Sequence, residues 1–418
     1  MENYKRVLII SNNALSLTKN NGKTLESFFV NFPAECLAQL YFSDEIPESS
    51  CCNNFFSISE RDIINKIFVK RRNKKNNSEN KSSNIVVNRD KYSQSEFFRV
   101  IRELLWRKSF WKSDKLYCWV KQFAPEIIFF CGGDSGFAYT ITESIQKNTE
   151  AKLVLYLTDD YILGKANCNL FYKIRKLYIF SKMRKCIKKA NLFFTISDKM
   201  SKTYEEIFKK ESRSILNLSN YGESKLKTDF GEEVVFTYMG GFSYGRDKVL
   251  IELGNALREY NESNSMLKTS LEIYSTDMSS TEIINEFMKN KTIKFGGKLN
   301  SIGVKKKLKD TDILVHVESF DHYNREKTRY SISTKIPEYL SSKRLIVAIG
   351  PDDIASMEYL KDVAICINRQ QDIYVTICNV LKNKSLRETS IQRSYELYCK
   401  KHDPKVVRKE FERLLYEL

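Results

Sequence analysis

Short β-branched and aliphatic runs alternate with longer amphipathic segments along this chain, in two successive series. Parallel strands need a long crossover, usually a helix, so this alternation predicts parallel sheets wrapped by helices. In the first series the strand candidates are 6–11, 36–41, 127–131, 153–157 and 192–196; in the second they are 234–239, 271–274, 292–295, 313–317, 345–349 and 364–367. Between the series, SILNLSNYGESKLKTDFGEE is polar and punctuated, which suits a linker. At 418 residues the chain also exceeds the roughly 250–300 residues over which one core keeps growing. The expected organisation is an N-terminal domain (1–213) with a polar, basic insertion at 66–95, a linker (214–233), a C-terminal domain (234–384), and two closing helical segments (385–418) broken at HDP.

Charge separates the two halves. Residues 1–220 hold 37 Lys+Arg against 23 Asp+Glu, and the remainder 32 against 29, out of a formal net charge of +17. An excess of +14 in one half suits an anionic partner: nucleic acid, an anionic membrane or a phosphorylated substrate. Two segments mix that charge with apolar residues. The stretch 96–123 contains all three tryptophans and is expected to pack on a core rather than lie on lipid. The stretch 171–189 (FYKIRKLYIFSKMRKCIKK) is the better membrane-facing candidate. The ten cysteines are scattered without a C-x-x-C pair, several in apolar runs, as reduced buried thiols are. With three histidines and no cysteine cluster, and no D-x-D at a convincing strand end, no metal site is expected. The opening MENYKRVLIISNN reads as a charged turn and a strand rather than a signal peptide, and no apolar run approaches ~18 residues. The expectation is a cytoplasmic protein, resting at most on the inner face of the plasma membrane.

Two motifs carry chemistry in the second half. In TYMGGFSYGRDK (237–248) a strand ends at Gly240-Gly241, where the backbone can approach a ligand, and Arg246 and Lys248 follow as cations able to grip a diphosphate. In ISTKIPEYLSSKRLIVAIGP (332–351), Ser333 and Thr334 stand where a helix would start, making an anion site with Lys335 as an added cation. Glu338, one turn along, is placed to accept hydrogen bonds from the hydroxyls of a ribose. In the first half, Asn21, Gly22 and Lys23 follow the first strand and are candidates for contact with donor phosphate or acceptor. Asp159 and Asp160 end a central strand, where a carboxylate could deprotonate an acceptor hydroxyl, with Asp134 as a rival; a helix-capping role is the alternative for each.

The run STKIPEYL followed by RLIVAIGP resembles the nucleotide-sugar segment of GT-B-fold glycosyltransferases, especially family 4-like enzymes of bacterial surface polysaccharide synthesis. The resemblance extends to NNGKTL (20–25), TDD (158–160), TISDKMSKTYEEIF (195–208), the GGFSYGRDK loop and HVESFD (316–321). It implies two Rossmann-like domains facing across a cleft, with the final helices crossing back to the first domain. It also implies a nucleotide-diphosphate sugar, UDP-sugar favoured, as co-substrate, no cofactor, and a saccharide or lipid-phosphate-linked acceptor. Carried over by position, Arg246 and Lys248 would contact the diphosphate, Ser333 and Thr334 the distal phosphate, and Glu338 the ribose. Many retaining members have two glutamates separated by seven residues. Here Tyr330 stands eight before Glu338, and the nearest preceding strand-end acid is Glu318, a third catalytic candidate flanked by His316 and His322. Retention and inversion both stay open.

Two other readings compete. A nucleotide-sugar epimerase or hydrolase would share the plan, since sites rather than folds decide function. A nucleic-acid-binding protein would explain the charge (pI ≈ 9.2) but not the motif block in a nearly neutral half, so no nucleic-acid partner is expected. The excess in the first half points instead to an anionic membrane surface.

Overall fold

A computed structural model describes residues 4–72, 96–107, 110–164, 169–219, 225–263, 266–277 and 281–418. The chain divides into two compact units. One comprises residues up to Ile215 together with Glu410–Leu418, the other Leu216–Lys409. The first unit is built on a sheet of β1 (Val7–Ser11), β2 (Leu37–Tyr41), β3 (Phe55–Ser57), β4 (Ile127–Gly132), β5 (Lys152–Leu157), β6 (Leu192–Thr195) and β7 (Arg213–Ser214). The second is built on β8 (Glu233–Met239), β9 (Lys268–Tyr274), β10 (Ile293–Gly297), β11 (Ile313–Val317), β12 (Leu345–Ile349) and β13 (Ile365–Ile367).

All pairings in both sheets are parallel. The spatial orders are β3-β2-β1-β4-β5-β6-β7 and β10-β9-β8-β11-β12-β13. Each sheet therefore starts in the middle, runs to one edge, and restarts beside its first strand. This is the doubly wound order, and it opens a crevice at the strand ends where direction reverses, between β1 and β4 and between β8 and β11. Both units are Rossmann-like.

The strands read as unbroken apolar runs because helices cover both faces. In β11 and β12, Ile313, Val315, Val317, Leu345, Val347 and Ile349 join the core on one face. Leu314, Ile346 and Ala348 join the core on the other. Alternate residues thus serve opposite layers. The two strands that the apolar pattern does not announce, β3 and β7, have three and two residues and lie at or next to sheet edges, where little apolar surface is needed.

Of the basic stretch 66–95, residues 66–72 finish the helix Glu60–Arg72; residues 73–95 lie outside the described residues. The tryptophans of 96–123 do pack inward: Trp106 and Trp111 are buried, and Trp106 stacks on Phe137 at 4.0 Å. The closing segments differ from expectation. Helix Lys384–Lys401 stays with the second unit, where Ser390 and Ser394 hydroxyls donate to the Val363 carbonyl at 2.9 and 2.6 Å and Ile391 is buried. Only the end of helix Pro404–Tyr416 returns to the first unit, carrying Phe411 onto Phe28, Phe29 and Phe129 with centroids 5.3–5.6 Å apart. The break between the two helices is fixed by buried His402, whose Nδ1–H donates to Asn217 O while Nε2 accepts from the Tyr359 hydroxyl, both at 2.8 Å. All nine described cysteines are free thiols, and burial pushes Cys131 up to about 12.

Candidate active site

The crevice between β8 and β11 holds a cavity of about 300 Å³. One wall is the end of β8 with Gly240 and Gly241, and the β11 wall brings His316. Facing them are Ser333, Thr334 and Lys335, and Arg246 adds a guanidinium. A side chain at either glycine would make a neighbouring side chain move. A Cβ on Gly240 would stand 2.6 Å from the Tyr238 hydroxyl, which donates to Gly241 O at 2.7 Å; one on Gly241 would stand 2.9 Å from Asp277 Oδ2. That carboxylate accepts the Phe242 N–H at 2.7 Å and so ties the turn down. Gly245, with φ of 71°, supplies the left-handed residue that launches helix Arg246–Ser263.

Arg246 is aimed by a buried partner. Its Nη2 lies 3.3 and 3.2 Å from the two oxygens of Glu318, whose carboxylate also has His316 Nε2 at 3.3 Å. Burial pushes the Glu318 pKa up, but His316 and Arg246 override it and hold the group below the usual carboxylate range. Glu318, expected as a catalytic candidate, is buried beside Arg246 and is not among the residues lining the cavity.

The block at 332–351 brings Ser333, Thr334 and Lys335 to the crevice, with its helix start shifted from the expected one. The helix runs Ile336–Ser341 with Lys335 as its N-cap residue, so Ser333 and Thr334 lie in the turn ahead of it. Pro337 sets this start, because proline suits a first turn and not a helix interior. Tyr339 clamps the helix to the sheet by accepting the Met239 N–H at 3.0 Å. Lys335 Nζ donates to Glu338 Oε2 at 2.9 Å; Glu338 is buried beside the cavity and is not one of its lining residues. Lys248 is exposed and does not line the cavity either. Residues i and i+2 of a helix stand about 200° apart, so Arg246 and Lys248 leave the helix on opposite sides.

The first unit has a polar pocket at its own crevice, between the ends of β1 and β4. It is lined by Ser11, Asn12, Asn13, Asn21, Cys131–Asp134 and Tyr161 and measures about 180 Å³. A second pocket shares Asn13, Asn21 and Tyr161 with it and adds Thr158 and Asp159. Asn21 Nδ2 donates to Thr158 Oγ1 at 3.1 Å, which fixes the amide at the rim. Lys23, two residues on, is exposed, for the same helical reason as Lys248. Gly22 is buried under the loop: a Cβ there would stand 2.1 Å from Ala14 O.

The two aspartates part company. Asp159 lines the pocket. Asp160 accepts N–H bonds from Ile162, Leu163 and Gly164 at 3.0–3.2 Å and the Tyr204 hydroxyl at 2.8 Å, which occupies its oxygens in holding the following turn. Asp134 is held by Arg175 and Arg99 at 3.2 and 3.3 Å. His322 opens the short helix His322–Thr328 and lines neither site. Sequence reasoning did not select the amides Asn12 and Asn13 or the hydroxyls Thr158 and Tyr161; the SNN after β1 and the Thr of TDD were the available signals. Among the described residues, no cluster of three or more His, Cys, Asp or Glu is arranged to hold a metal, and no helix is long and apolar enough to cross a membrane.

No protein-family model matches the chain, and no curated protein matches its sequence. Solved structures do resemble it. An α,α-trehalose-phosphate synthase (UDP-forming) from Burkholderia xenovorans, in complex with glucose-6-phosphate, is 10% identical with a TM-score of 0.61, covering 98% of this chain and all of that one. The synthase from Burkholderia multivorans is 9% identical with a TM-score of 0.59 over 99% of this chain and 96% of that one. A trehalose-6-phosphate protein from E. coli bound with UDP-2-fluoro glucose gives 9% identity and a TM-score of 0.62 over 99% of both chains. At such identity the likeness establishes the fold: the chain has the two Rossmann-like domains of the GT-B plan.

Proposed function

We propose that this protein is a glycosyltransferase that takes a sugar from a nucleoside-diphosphate sugar, UDP-linked by family resemblance, and passes it to a hydroxyl of a saccharide acceptor. The observation that carries the reading is the convergence of Arg246, Lys335, Ser333, Thr334 and the Gly240-Gly241 turn on one cavity at the β8/β11 crevice. Cations, hydroxyls and close backbone are what a diphosphate needs, and the crevice is where doubly wound sheets bind nucleotides. Breaking the sugar–phosphate bond builds charge on the leaving diphosphate, and Arg246 and Lys335 stabilise it as it develops without a metal ion. In this reading the phosphates draw Lys335 away from Glu338, leaving that carboxylate for the ribose hydroxyls.

The acceptor is assigned to the first unit. Asn12, Asn13, Asn21, Thr158 and Tyr161 offer neutral donors and acceptors suited to a polyhydroxyl ligand, and Asp159 is the carboxylate placed to take a proton if the reaction inverts. The charge excess of that half supports an acceptor carried on a lipid phosphate, met by a cytoplasmic enzyme at an anionic membrane surface during surface glycan synthesis. The test is a thermal-shift screen of nucleotide sugars followed by calorimetry. Arg246→Ala and Glu338→Ala are each expected to weaken the best donor about tenfold or more, the worth of a charge-assisted hydrogen bond. Unchanged affinity in both variants would remove the site assignment.

A further inference from the structure

Helix Leu170–Lys189 buries Arg175, Ile179, Met183, Cys186 and Ile187 against the first unit. Its outer face would be expected to be polar. Instead its first two turns expose Leu170 (67%), Ile174 (50%) and Leu177 (71%), with Phe171 beside them. The neighbouring helix Glu96–Arg107 extends the patch: Phe97 is also exposed, and its ring lies 5.3 Å from that of Phe171. Further along the same outer face, apolar residues give way to exposed Arg184, Lys185 and Lys188. The whole helix has eight Lys+Arg and no Asp or Glu.

We infer that these two helices form a docking surface for an anionic phospholipid bilayer. The apolar turns enter the boundary between headgroups and acyl chains, and the following cationic turns lie on the phosphates. The charge selects this occupant over a second copy of the chain. A two-fold contact through the patch would bring two all-cationic helices together, whereas an anionic lipid surface complements them. Buried Arg175, on the inner side of the same helix, donates to the Asp134 carbonyl and carboxylate at 3.0 and 3.2 Å, and Asp134 lines the pocket between β1 and β4. The docking helix is thereby braced onto that pocket. In this respect the inference deepens the acceptor part of the reading above and rests on it; the docking itself does not.

Vesicle co-sedimentation of the full chain at physiological salt tests it, with phosphatidylcholine vesicles compared against vesicles also containing phosphatidylglycerol. Wild type is expected to bind the anionic vesicles about tenfold or more better than the neutral ones. Ile174→Ser/Leu177→Ser should lower that binding about tenfold. Arg184→Gln/Lys185→Gln/Lys188→Gln should lower it on the order of a hundredfold, at about tenfold or less for each cation lost. Both variants should keep the wild-type circular dichroism and nucleotide-sugar affinity. Absence of wild-type binding to the anionic vesicles overturns the proposal, as does binding that neither variant changes. Self-association abolished by Ile174→Ser/Leu177→Ser, without vesicle binding, overturns it in favour of a second copy. Because donor affinity is read separately, failure of the docking surface and failure of the glycosyl-transfer reading give different results.

Discussion

In the second unit the Glu318 carboxylate lies within 3.2 Å of Arg246 Nη2 and 3.3 Å of His316 Nε2. A guanidinium that must meet a diphosphate gains from being aimed beforehand, and a buried carboxylate at 3.2 Å does this at the cost of its own hydration. On the proposed reading, Glu318 then acts through Arg246 rather than on the donor. Glu318→Gln keeps the shape and removes the charge, so donor affinity is expected to fall about tenfold through loss of the charge-assisted bond. The effect should vanish in an Arg246→Ala background when a double-mutant cycle is run by calorimetry. Additive losses would mean that Glu318 touches the donor directly. The sequence marked Arg246 because a cation directly after a glycine turn has few other places to point. It could not separate a catalytic acid from a supporting one at Glu318, since that depends on which side of the β11 end the side chain leaves.

At the scale of elements, the two series of strands were legible because a parallel strand covered on both faces must be apolar along its length. What could not be read was direction within helices and turns. Arg246 and Lys248, Asn21 and Lys23, and Asp159 and Asp160 are close in sequence, yet one of each pair lines a pocket and the other does not. The helix period decides the first two pairs, and the turn at 160–164 claims Asp160. Gly22 illustrates the same point. Its place after the first strand made it a candidate for contact with donor phosphate or acceptor; in the structure it lets helix Asn20–Phe29 pass under the Ala14–Ser16 backbone. Gly22→Ala would put a methyl 2.1 Å from Ala14 O and 2.9 Å from Ser16 N, both main-chain atoms that cannot swing aside. The helix must shift, at a cost of about 1–3 kcal/mol by urea denaturation. A change within about 0.5 kcal/mol, the range of neutral surface substitutions, would show that the loop yields freely.

At the scale of the molecule, Glu103 and His402 predict opposite pH responses for the two units. In the first, Glu103 from helix Glu96–Arg107 accepts the Gly136 and Phe137 N–H groups at 2.7 and 3.1 Å at the start of helix Gly136–Thr149. Burial pushes it up to about 7 despite those bonds and nearby Arg102. The folded unit therefore holds a proton that the unfolded chain, near 4.5, has released, and its stability falls as pH rises from about 4.5 through about 7. In the second, burial of His402 lowers its pKa from 6.5 to about 4. Here the unfolded chain binds the extra proton, so stability is full above about 6.5 and is lost as pH falls toward about 4. Carboxylates held low, such as Glu318 and Glu272, act mainly at lower pH. Taking the chain from about pH 7 to about pH 5 should stabilise the first unit and destabilise the second by on the order of 2 kcal/mol each. Units of this size shift by roughly 2–4 °C per kcal/mol, so two calorimetric transitions should move several degrees in opposite directions. Glu103→Gln should abolish the first shift and His402→Gln the second. Transitions that move together in wild type, or shifts that survive these substitutions, would assign the pH response to other groups.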